Sequence, residues 1–74
     1  MLNAKKLRAR MIDAGYNRES LAKALNMSLS TLSSRMQGYS YFNTKEIEAI
    51  CEALQLRDPK DKLNIFFAPN VTLS

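Results

Sequence analysis

Residues 18–38 read RESLAKALNMSLSTLSSRMQG. Leu21, Ala22 and Leu25 recur at helical spacing, and Asn17 just before them offers a side-chain oxygen to cap a helix. Glu19 lies in the first turn, where the positive end of the helix dipole favours a carboxylate. The pattern stops near Asn26, the residue type after glycine best suited to a positive φ. Ser28 is again a good N-cap, with an apolar stripe of Leu29, Leu32 and Met36 behind it, and Gly38 closes the segment. Asn26, Met27 and Ser28 are too few to form a free loop, so the stretch predicts two short helices meeting at a tight turn. A steep crossing needs a small residue on the inner side, which Ala22 supplies, and Met27 and Leu32 are expected to seal the angle.

The same signals extend outward in both directions. Between residues 2 and 14, Ala4, Leu7, Met11 and Ala14 form an apolar stripe, with Lys5, Lys6, Arg8 and Arg10 largely between them. Gly15 is its natural left-handed stop. Downstream, Asn43 and Glu46 have the spacing of a capping box, and Phe42 and Ile47 that of a hydrophobic staple. Ile47, Ile50, Cys51 and Leu54 then give a buried face, with Leu56 packing just beyond it. Asp58 followed by Pro59 announces a fifth helix through about Phe66. No strand pattern competes, so the expected fold is all-α: a compact five-helix domain over residues 1–67, with residues 68–74 as a polar, proline-interrupted tail in which Val71 and Leu73 are possible anchors.

The chain has 74 residues, no histidine and one cysteine. Histidine bases, serine and cysteine triads and the common structural zinc cages are thereby excluded, and no enzyme, metal site or cofactor is expected. Glu48 and Glu52 are one turn apart but have no companions for an active site, and Cys51 reads as an inert core thiol. No apolar run reaches the roughly 18 to 20 residues a membrane span needs. A soluble, cytoplasmic protein with no membrane partner is the expectation.

At residues 18–38 the sequence resembles the phage repressor and Cro family of helix-turn-helix proteins (the lambda repressor-like domain), a resemblance that extends over residues 2 to about 67. It implies a five-helix bundle whose third helix enters the major groove of duplex DNA. The matching base-reading positions are Ser28, Leu29, Ser30, Ser33 and Ser34, with Thr31 on the same helix at a phosphate-contact position. By the same resemblance Arg18 and the loop after Gly38 approach the DNA backbone, and Arg35, within the motif, and Gln37, at its end, are further phosphate-binding candidates. Three residues depart from the family pattern. Asn26 stands at the usual turn glycine, Arg35 and Met36 shift the last apolar position by one, and serines replace glutamine or arginine base readers. Serine hydroxyls touch base edges or bridge through water, without the bidentate pairs that discriminate bases strongly.

Charge supports the same face independently. Residues 1–45 hold eight basic and two acidic side chains, a formal +6, whereas residues 46–74 hold three basic and five acidic, a formal −2. A basic half carrying the motif is what a polyanion-binding surface requires. Lys45, in the positive first turn of the fourth helix, is unfavourable for helix stability unless a phosphate lies near it. Tyr39 and Tyr41 flank Ser40 where hydroxyls can bond phosphate. Ile65, Phe66 and Phe67 form an apolar run that helical periodicity cannot point in one direction, so part of it is expected to form a dimer contact. The function expected is a Cro-like transcriptional repressor of phage or prophage type in a bacterial host cell. Its partner would be double-stranded DNA, bound by a homodimer at a pseudo-palindromic operator. A protein-interaction module on the same fold, an antirepressor or repressor partner with little DNA readout, is the alternative.

Overall fold

The computed structural model describes residues 2–67, so the expectations placed on residues 68–74 lie outside the described residues. Five helices follow in order: α1 (Ala4–Asp13), α2 (Arg18–Ala24), α3 (Leu29–Met36), α4 (Thr44–Leu54) and α5 (Pro59–Phe66), and no strand occurs among the described residues. Each begins on a side-chain cap. Asn3, Asn17, Ser28, Asn43 and Asp58 each accept a backbone N–H from the first turn of the helix that follows, satisfying donors that have no partner within the helix. Asn43 and Glu46 form the expected reciprocal box. A second box, between Asn17 and Ser20, has serine in the place of the usual glutamate or glutamine, which is why the sequence pattern does not announce it.

The first four helices also end alike. At Gly15, Asn26, Gly38 and Gln55 the chain turns left-handed, with φ of 83°, 58°, 90° and 57°. In each case the next residue's N–H donates to a carbonyl five residues back: Tyr16 to Met11, Met27 to Ala22, Tyr39 to Ser34 and Leu56 to Cys51, at 2.8 to 3.0 Å. This closure satisfies carbonyls that would otherwise be orphaned and reverses the chain in two residues. α5 ends differently, because its Ile65 carbonyl accepts the Asn3 N–H at 2.6 Å and so fastens the start of the chain to its last helix.

Leu7, Leu21, Leu32, Ile50 and Ile65, one from each helix, are fully buried. Around them pack Met11, Ala22, Met36, Ile47, Leu54, Leu56 and Phe66, with Leu25, Met27, Phe42 and Cys51 partly covered at the edge. α2 rests on both α3 and α4, and α1 on α5. The Phe42 and Phe66 rings meet edge to face, 5.9 Å between centroids, so the residue just before the α4 cap also braces α5. The α1 and α5 pairing is further tied by Arg10 Nη2 donating to Asp61 at 2.7 Å.

Three expectations are corrected here. Ile65 and Phe66 belong to the core, at 2% and 6% exposure, so they are unavailable as dimer contacts; Phe67, at 53%, is exposed. Placing α5 against α1 turns this pair inward because neighbouring residues on a helix sit about 100° apart and only part of an apolar run can share a face. Leu29 does not join the core and is exposed at 41%, at the first position of α3. Ala14 is exposed as the C-cap of α1 rather than part of its buried stripe.

Candidate nucleic-acid interface

Leu32 and Met36 turn one side of α3 into the core. The other sides carry Ser30, Ser33 and, beyond the helix end, Gln37, while Leu29 lies on the Leu32 side at the open first turn. Of these, Leu29, Ser30 and Gln37 are exposed and Ser33 is half-buried. This is a shallow surface of small side chains, which lets a backbone-to-groove approach be close.

The hydroxyls divide by what they already hold. Ser28 Oγ accepts the Thr31 backbone N–H at 3.1 Å and donates to Thr31 Oγ1 at 2.8 Å. Ser28 and Thr31 are therefore committed first to starting α3, with Ser30 Oγ at the edge of the same cluster, 3.5 Å from Ser28 Oγ. Ser34 Oγ lies 3.3 Å from Ser40 Oγ and pins the following loop to the helix. Ser33 has no side-chain hydrogen bond among the described residues. Ser30 and Ser33 thus remain largely unengaged, with Leu29 exposed at the first turn, while Ser28 and Thr31 are tied into the helix start and Ser34 to the following loop.

Arg35 is engaged within the fold. Its Nε donates to Glu46 Oε1 at 2.9 Å in a part-buried pair that spans from the last turn of α3 to the first turn of α4. Instead of standing free on the outer surface, it is held by a carboxylate that also accepts the Asn43 N–H at 3.0 Å. Sequence spacing does not announce this pair, because the partners lie on different helices and Glu46 is already explained as a cap.

The other cations and the tyrosines expected near DNA are open. Arg18 is exposed at the start of α2 and Lys45 in the first turn of α4, and Lys5, Lys6, Arg8 and Lys23 are exposed as well. Tyr39 and Tyr41, at 82% and 85%, stand out from the loop between α3 and α4. Beside that loop an open groove of about 600 Å³ runs between Met36, Phe42, Ile47, Phe66 and the exposed Phe67, with Arg35 on its wall. Cys51 is half-buried against the core, and burial raises its thiol pKa above the ordinary value, which suits an unreactive packing residue. No helix among the described residues is long and apolar enough to cross a membrane.

The architecture and the arrangement of α2, the tight turn and α3 agree with a family model that matches this chain. The model for the Cro/C1-type HTH DNA-binding domain matches residues 6–65. No curated protein and no solved structure matches the chain.

Proposed function

The chain belongs to the Cro/C1-type HTH DNA-binding family, a non-catalytic family whose partner is DNA, and from that premise we propose that it is a sequence-specific transcriptional repressor of Cro-like, phage or prophage type. The observation that supports this reading is the accessible surface of α3, the second helix of the motif, where Ser30 and Ser33 present small side chains and Leu29 is exposed at the first turn. Ser30 and Ser33 contact base edges or the waters on them, and Leu29 supplies apolar contact of the kind that recognises a thymine methyl. Ser28 and Ser34 support that surface from its two ends. Arg18, Thr31, Arg35, Gln37, Tyr39, Tyr41 and Lys45 face the sugar-phosphate backbone and set orientation and ionic-strength dependence.

The regulator acts as a homodimer on a pseudo-palindromic operator, its two reading helices about 34 to 36 Å apart, one turn of DNA. Leu63 on α5 and Phe67 at its C-cap support a dimer surface, because both are large apolar side chains left 55% and 53% exposed. Occupancy of a promoter in a bacterial host cell then blocks transcription.

Selection of bound sites from a random duplex library at about 150 mM salt, where purely electrostatic binding is weakened, tests the reading. Enrichment of a two-fold symmetric site is the expected result. Recovery of no site by folded protein rejects it. The open groove beside Phe67 favours a second reading, a protein-interaction module; that reading is upheld if Phe67→Ala abolishes a protein contact while Ser30→Ala and Arg18→Ala leave DNA binding as in the parent.

A further inference from the structure

Glu46 Oε1 accepts two hydrogen bonds, one from the Asn43 backbone N–H at 3.0 Å and one from Arg35 Nε at 2.9 Å. The first belongs to the start of α4. The second has no capping purpose and reaches back to the last turn of α3. A guanidinium has five N–H donors, one on Nε and four on its two Nη groups. Only Nε has a partner among the described residues. No buried side-chain nitrogen or oxygen there lacks a hydrogen bond, so both Nη groups, having none, must reach solvent. The Arg35 side chain as a whole is only 22% exposed. Its stem is therefore packed, its orientation set, and four charged donors remain for something outside the fold.

An unrestrained surface arginine loses substantial rotamer freedom when it grips a phosphate, whereas this one has lost it on folding. We propose that Glu46 is a positioning residue for DNA binding: it grips Arg35 by Nε and presents the two Nη groups to a backbone phosphate at the C-terminal end of α3. The proposal rests on the DNA-binding reading of α3 above. It assigns Glu46, an acidic residue that charge counting sets against polyanion binding, a favourable part in it.

The test measures affinity for the selected duplex between 50 and 200 mM salt for the parent, Arg35→Ala, Glu46→Ala, the double variant, Glu46→Gln and Arg18→Ala, with folding of each followed by circular dichroism. Loss of one phosphate contact reduces the salt slope by about 0.9, so affinity falls about 3- to 4-fold less across that range. Arg35→Ala is expected to show this loss, Glu46→Ala to show most of it, and the double variant no more than Arg35→Ala. Glu46→Gln keeps an acceptor oxygen for both N–H groups and is expected to restore at least the parental slope. A residue that only capped α4 would lower the melting temperature in Glu46→Ala and leave the slope unchanged, which overturns the proposal. Should Glu46→Ala fail to fold, the Arg35 Nε–H resonance of the parent decides: its persistence in the DNA complex supports the grip, and its loss overturns it. Slopes that respond to Arg18→Ala but not to Arg35→Ala reject the proposal and leave DNA binding standing, whereas a parent that binds no duplex rejects both.

Discussion

Asn26 and Gln55 hold φ of 58° and 57°, and they are the two non-glycine residues among those described that do so. A left-handed backbone brings Cβ close to the following carbonyl oxygen, at a cost of roughly 1 to 2 kcal/mol that asparagine reduces and glycine avoids. Asn26 is readable from sequence because its residue type suits the conformation. Gln55 is not, since nothing about glutamine favours it; the reversal there is imposed by Leu56, which must turn back into the core at 6% exposure. Gln55→Gly is accordingly expected to stabilise the domain by up to about 1 kcal/mol, seen as a rise in melting temperature of about 4 to 8 °C. No rise, or a fall, would show that the glutamine side chain contributes contacts of its own. Burial makes a prediction at Cys51 as well. With its thiol pKa raised, alkylation at pH 8 is expected to be slower in the native protein than in the same protein in denaturant.

At the scale of the element, α3 shows how one helix answers to two demands. Four serines and a threonine between residues 28 and 34 reduce helix propensity, and part of that loss is recovered by the Ser28 cap and its hydrogen bond to Thr31. Ser30 and Ser33 lie on the outward side and make no comparable structural bond, so Ser30→Ala and Ser33→Ala separate the two roles. Each is expected to leave the melting temperature nearly unchanged while weakening binding to the selected duplex by about 1 kcal/mol, with binding to unrelated DNA unaltered. Equal losses on both DNAs would mark them as general backbone contacts. α4 offers the converse case. Asn43→Ala removes a cap without touching α3, and is expected to cost about 1 kcal/mol in chemical denaturation. How much of these elements sequence reveals follows from the range of the interactions: caps at Asn17, Ser28, Asn43 and Asp58 act within three residues of their helices and are legible, whereas the Arg35 to Glu46 pair spans eleven residues across a loop and is not.

For the molecule as a whole, the decisive feature is that each helix commits one fully buried aliphatic residue to a common point, so none of the five is stable without the others. Leu32→Ala would leave a cavity beneath α3 and is expected to cost about 2 to 5 kcal/mol, a large share of the roughly 5 to 15 kcal/mol typical of a small domain. Loss of the cooperative thermal transition at 37 °C is the outcome to look for. The dimer is a prediction at this scale too. Substituting Leu63 and Phe67 with polar residues is expected to lower the sedimentation mass to that of a monomer with the helical spectrum intact. An unchanged mass would move the interface elsewhere.

The order and number of helices, the caps at Asn17, Ser28, Asn43 and Asp58, the left-handed turn at Asn26, and the identity of the motif over residues 18–38 were determined by the sequence alone. All depend on spacing and on the conformational chemistry of single residues, so they are written locally. Which residues of an apolar run are covered depends instead on which helix packs against which, and only the tertiary structure decided that Ile65 and Phe66 are core while Phe67 is surface. It likewise decided which hydroxyls of α3 are already engaged, and that Arg35 is held by Glu46. Surface chemistry is what remains after burial and pairing have taken their share, and burial and pairing between helices carry no fixed spacing in the chain.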